Sequence, residues 1–202
     1  MTHGATMRLF VAIDPPQEVC ERLAAWARQA AAASGLRIGG GRAAPLRLLD
    51  ADSLHLTLCF LGERPARELD ALDAALDACA TDVGELSLGA PLWLPPKRAR
   101  TLAVEVHDSA GQLTGLHDSL VRAIAAATAW EPERRRFRGH VTVARVRGRG
   151  RGASTSFDGA RLPATPRVSF WPQELSLYRS RLGPAGAAYE TLASRRLLPR
   201  EL

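Results

Sequence analysis

Cysteine is scarce here, and its spacing pairs nothing: Cys20, Cys59 and Cys79 form no CxxC and are odd in number. That excludes a disulfide framework or a zinc-finger signature and suits a reducing cytoplasm. Aromatic residues make up only 5% of the 202-residue chain, which argues against broad platforms for stacking unpaired bases. Long apolar runs are missing as well. The stretch from Leu9 to Ile13 ends at Asp14-Pro15-Pro16, too short for a signal peptide, and no other run approaches a membrane span. After this first apolar stretch, FVAIDPP holds neither GxGxxG nor GK[ST], so no glycine-rich phosphate cradle follows it. No HExxH occurs either. The expectation is a cytoplasmic protein, monomeric by default, with no cofactor and no membrane association.

What is present is ordinary in bulk. The chain is 46% hydrophobic and 24% charged, enough to bury a core within one domain spanning residues 1–202. Its net charge of +6 favours polyanionic partners through long-range attraction and counterion release. Arginine far outnumbers lysine, however, and a GC-rich genome produces the same bias, so charge alone decides nothing.

Hydrophobic periodicity gives the elements. Arg8 to Ile13 reads as a strand, and Gln17 to Ser34 as a helix with Val19, Leu23, Trp26 and Ala30 on one face. Gly39 to Pro45 is a loop and Leu46 to Leu49 a short strand. In Leu54 to Leu61, strict alternation puts Leu54, Leu56, Leu58 and Phe60 on one face, and His55, Thr57 and Cys59 on the other. A helix over Pro65 to Ala80 follows, then strands over Glu85 to Leu94 and Thr101 to His107 around the basic turn Pro95 to Arg98. After them come a helix over Gly111 to Ala129 and a strand over His140 to Val146. The Arg/Gly run from Arg147 to Gly152 is a loop, and Arg167 to Tyr178 and Tyr189 to Leu197 are closing strands around a Gly183–Gly186 turn. Strands and helices in this order predict an α+β fold with antiparallel pairing.

One repetition stands out. His55-Leu56-Thr57-Leu58 and His140-Val141-Thr142-Val143 share the pattern His-apolar-Thr-apolar, both on predicted strands. Any histidine is followed two positions later by threonine about one time in twenty, so a single motif is weak and the repetition carries the weight. On a strand, residues i and i+2 project from one face, so each motif sets an imidazole beside a hydroxyl. Histidine titrates near neutrality: a neutral ring activates water while a protonated one assists a leaving oxygen. Threonine hydroxyls donate to phosphate oxygens. Two such strands side by side make a metal-free acid–base site for a phosphodiester, without fixing which histidine is acid and which is base. Two histidines with Cys59 could instead ligate zinc, but catalytic zinc normally takes three protein ligands at recognisable spacing. His3, His107 and His117 read as surface residues. Arg138 and Arg145 flank the second motif as candidate phosphate donors, although strict alternation turns Arg145 away from His140 unless a bulge intervenes.

With RLFVAID-P, HLTLCFLGE, FRGHVTVARV and LYRSRLGPAGAAYETL falling in order from about Arg8 to Leu197, the chain resembles the 2H phosphoesterase superfamily. Within it, the chain is similar to the RNA 2′,3′-cyclic phosphodiesterase branch, also called 2′-5′ RNA ligase. The resemblance implies a bilobal α+β fold of two antiparallel sheets with flanking helices, related by a pseudo-two-fold. A central cleft would carry the two motifs. It also implies the reaction, opening of a 2′,3′-cyclic phosphate at an RNA end or on a small cyclic nucleotide to leave a 2′-phosphate. His55 would be the proton donor, His140 the proton acceptor, and Thr57 and Thr142 the phosphate binders. Ligation by the reverse reaction and non-catalytic RNA binding are the competing readings. The family usually has proline where this chain has Gly139, which is expected to loosen the aim of His140.

Overall fold

The computed structural model describes residues 5–38, 46–81, 83–96, 99–146, 162–183 and 186–197. The predicted loops over Gly39 to Pro45 and Arg147 to Gly152, with His3, lie outside the described residues, as do the centres of the turns at Lys97-Arg98 and Pro184-Ala185.

The elements, in chain order, begin with β1 (Thr6–Asp14), α1 (Gln17–Ala33), β2 (Leu46–Leu48), β3 (Leu56–Pro65) and α2 (Leu69–Cys79). They continue with β4 (Leu86–Leu94), β5 (Thr101–His107), α3 (Gln112–Ala127), β6 (His140–Val146), β7 (Ser169–Phe170), β8 (Glu174–Gly183) and β9 (Gly186–Arg196). Most match the periodicity closely. The chief difference is the predicted strand over Arg167 to Tyr178, which Trp171-Pro172-Gln173 splits into β7 and β8; Pro172 offers no N–H for a continuous ladder. β3 also outruns its predicted end by turning through Gly62 at φ +70°, a conformation glycine adopts without cost.

The strands named above pair antiparallel, with one isolated parallel bridge between Ile38 and Leu46, and the expected two sheets form one. Its order is β7-β4-β5-β6-β3-β1-β8-β9, with β2 on the outer end of β6. Each half sets its His-apolar-Thr strand innermost, and the halves meet through a single residue pair, Leu56 opposite Val141. That one pair merges the sheets.

The helices pack on one face. From α1 come Val19, Leu23 and Trp26, from α2 Leu72 and Leu76, and from α3 Leu113, Leu120 and Ile124. They bury Leu9, Val11, Ile13, Leu56, Val104, Val141 and Leu177 beneath them. Each such leucine contributes about 1.5–3 kcal/mol by leaving water. The connections cross the junction: α1 touches β2 and β6, whereas α3 touches β3. No helix among the described residues is long and apolar enough to cross a membrane.

Candidate active site

The histidine face is the other side of this sheet. Antiparallel register carries the Leu56–Val141 pair one residue each way, which sets His55 across from Thr142 and Thr57 across from His140. Residues directly opposite have Cβ atoms about 4.5–5.5 Å apart and diagonal neighbours about 7–8 Å, so the two imidazoles stand on the diagonal of a small square with a threonine at each other corner.

The two motifs are built alike in detail. His55 Nδ1–H donates to the Ser53 carbonyl at 3.0 Å, and His140 Nδ1–H donates to the Arg138 carbonyl at 2.8 Å. A carbonyl only accepts, so each bond puts the proton on Nδ1 and leaves Nε2 as the working nitrogen of the neutral ring. An alanine lies opposite each threonine, Ala12 by Thr57 and Ala103 by Thr142, both fully buried and small enough to leave the hydroxyls room.

A bulge follows each motif at the same place. β3 slips one residue against β1 between Thr57 and Cys59, and β6 slips one against β5 between Thr142 and Ala144. A bulge reverses alternation beyond it, and three assignments change with it. Cys59 turns into the core, where burial pushes its thiol up to about 12, and so it leaves the histidine face. Phe60, expected inside, is 40% exposed and lies opposite Phe10 on the histidine face. In β6 the same slip buries Ala144 and turns Arg145 towards His140 and Thr142. Arg145 Nη2–H donates to the Tyr189 hydroxyl at 3.4 Å. Arg138 is engaged elsewhere, its guanidinium donating to Glu105 at 2.8 Å.

His55 stands in an aromatic cluster that the sequence pattern did not reveal. Its ring lies 4.8 Å from Phe10 and 5.0 Å, edge-on, from Tyr189, and Phe10 stacks on Tyr178 at 5.1 Å. Aromatics are scarce in the chain as a whole, yet both of its tyrosines stand here. Burial behind these rings is the main reason the His55 pKa falls to about 4, and the Arg145 and His140 charges push it the same way. Asp14 anchors the wall: its carboxylate accepts from the Ser176 and Tyr178 hydroxyls at 2.8 Å each. Burial raises the Asp14 pKa, and the same desolvation, with Asp14 beside it, raises that of Tyr178. No sequence pattern marked Phe10, Asp14, Tyr178 or Tyr189 individually. Only the alternation of β1, which puts Arg8, Phe10, Ala12 and Asp14 on one face, offered a hint.

Gly139 is not loose. It is buried, its carbonyl accepts the Val106 N–H at 2.9 Å, and an added Cβ would stand 3.2 Å from the Val106 oxygen and from Leu113. Close packing fixes the approach to His140 in place of proline's ring. His117, read as a surface residue, stacks on Phe137 at 4.2 Å. A hollow of about 650 Å³ between α1 and β7–β8, lined by Arg22, Trp171 and Arg196, includes none of the histidine-face residues named above.

Known proteins share this arrangement of strands and helices. E. coli LigT complexed with 3′-AMP superposes with a TM-score of 0.75 at 25% identity, covering 96% of this chain and 99% of LigT. A Thermus thermophilus protein superposes at 0.73 and 24% identity, over 96% of this chain and all of that one. In sequence, an RNA 2′,3′-cyclic phosphodiesterase of Aeropyrum pernix is 29% identical over 105 residues, 52% of this chain; the match spans about three fifths of that relative's length, 59%. The family model described as the 2′-5′ RNA ligase superfamily matches residues 15–184, and the chain belongs to that superfamily.

Proposed function

We propose that the protein is a hydrolase that opens RNA-terminal 2′,3′-cyclic phosphates to 2′-phosphates by metal-independent acid–base catalysis at His55 and His140. The observation supporting this reading is the Leu56–Val141 pair, whose register sets His55 and His140 diagonally across the two strands, each with its Nε2 left available. His140 Nε2 takes a proton from water as the oxygen attacks phosphorus. The bond from phosphorus to O3′ breaks, and His55 Nε2–H protonates the departing oxygen. Thr57, Thr142 and Arg145 hold the non-bridging oxygens as charge builds. His140 ends protonated and His55 neutral, and exchange with solvent resets both.

The donor role puts a condition on His55. In the free protein its pKa near 4 keeps it neutral at pH 7. The arriving phosphate supplies the missing negative charge, opposing Arg145 and His140 and favouring the imidazolium. Substrate thereby charges its own acid.

The relative named for cyclic phosphodiesterase activity and the LigT complex with 3′-AMP both support a nucleotide substrate. The superfamily's description also favours a second reading, 2′-5′ ligation, in which a 5′-hydroxyl replaces water at the same site. Hydrolysis of nucleoside 2′,3′-cyclic monophosphates in the presence of EDTA, with the product analysed, tests the proposal. A 2′-phosphate is expected; a 3′-phosphate, or activity abolished by the chelator, would overturn it.

A further inference from the structure

The outer end of β6 carries a second positive group that the chemistry above does not use. Arg47 of β2 lies directly opposite Arg145 in the register, and both turn from the buried neighbours Leu46 and Ala144 to the histidine face. Like charges directly opposite on a ladder are unfavourable, and among the described residues neither arginine is ion-paired with a carboxylate. Other arginines nearby are neutralised: Arg138 by Glu105, and Arg179 and Arg181 by Glu190.

The β8–β9 hairpin holds the pair in place. β1 pairs with β8 only as far as Arg179, so the hairpin beyond it overhangs the histidine face. Its Tyr189 hydroxyl accepts from Arg145, and the Arg47 guanidinium packs against Gly186, where any Cβ would collide with it. Both guanidinium groups therefore reach the hairpin, Arg145 from β6 and Arg47 from the adjoining β2, which pairs with the same edge of β6 as β3 does.

We infer that Arg47 forms a second phosphate subsite beside Arg145, which takes the internucleotide phosphodiester preceding the terminal cyclic phosphate. The ligand is then an RNA end of at least two nucleotides in preference to a mononucleotide. The inference rests on the proposed hydrolysis, with Arg145 on the reacting phosphate and Arg47 on the next one along the strand.

The test compares kcat/KM on a dinucleotide ending in a 2′,3′-cyclic phosphate with kcat/KM on the cyclic mononucleotide. Wild-type turnover of either substrate tests the hydrolase reading by itself, and its absence on both would overturn that reading. The ratio of the two substrates tests the subsite. Arg47→Met, which keeps the aliphatic stem, should lower the ratio about ten- to a hundredfold, the range for losing a hydrogen bond to a charged group. Arg47→Lys should recover part of it. A dinucleotide whose linkage is an uncharged methylphosphonate should behave in wild type as the mononucleotide does. A ratio unchanged by Arg47→Met, or a charged linkage with no advantage over the neutral one, would overturn the inference. A purely structural role for Arg47 would lower both substrates together and leave the ratio fixed, which overturns it equally.

Discussion

At the scale of residues, the site depends on hydrogen bonds that each imidazole makes to its own backbone. A ring tied at Nδ1 to the carbonyl two residues back has one orientation and one tautomer, so neither histidine searches for its place. Replacing either His55 or His140 with alanine should lower kcat by about 10²–10⁴-fold on a cyclic mononucleotide, the usual worth of a positioned acid or base. Wild-type rates in either variant would remove that residue from the chemistry. The depressed pKa of His55 gives a second expectation. Unfolding restores it from about 4 towards its ordinary value near 6.5, so between these values the unfolded chain binds more protons and stability falls as pH drops. NMR titration should place the free His55 midpoint near 4, and a bound nucleotide 2′-phosphate should raise it. A free midpoint at or above 6.5, or no rise with ligand, would contradict this account. Losing the Tyr178 hydroxyl as Tyr178→Phe leaves a half-buried Asp14 oxygen without its donor and should cost about 1 kcal/mol in urea denaturation.

At the scale of elements, the sequence displayed what is periodic and hid what breaks the period. His55 and Thr57 were legible because two residues separate them on a strand, and likewise His140 and Thr142. Beyond the bulges the same rule pointed the wrong way, putting Phe60 inside and Cys59 outside. Alternation counts residues, and it carries no signal for the one that a ladder skips. Arg145 needed that skip to share a face with His140 and Thr142. The aromatic cluster was hidden for another reason: Phe10, His55, Tyr178 and Tyr189 come from separate segments of the chain, and only the sheet order makes them neighbours. Two glycines test the packing that replaces periodicity. Gly139→Ala forces a methyl within 3.2 Å of the Val106 oxygen and should cost about 1–3 kcal/mol, read as a lower denaturation midpoint. An unchanged midpoint would show that the strand approaches β5 less closely. Gly186→Ala puts a side chain at a φ of +126°, a backbone conformation strained for any L residue, and should be the more damaging of the two, although the Arg47 tip it meets can swing aside.

At the scale of the whole molecule, the sheet must curl. From β6 to β9 there are four strand spacings, about 19 Å if flat, yet Arg145 and Tyr189 touch across them. The fold class and antiparallel pairing were legible from element order, whereas one continuous sheet in place of two was not, because a single residue pair decides it. With a net charge of +6, kcat/KM on an oligonucleotide should fall with added salt more steeply than on a cyclic mononucleotide. Equal slopes would mean that only the terminal phosphate is held. The lone bridge between Leu56 and Val141 has a kinetic consequence for how the protein matures. Each half of the chain owns one histidine, and neither owns a catalyst. During synthesis or refolding, secondary structure and much of the core can form first, but the proposed hydrolysis must wait until β3 and β6 meet. Recovery of the proposed cyclic-phosphate hydrolysis after dilution from urea should therefore trail the far-ultraviolet signal.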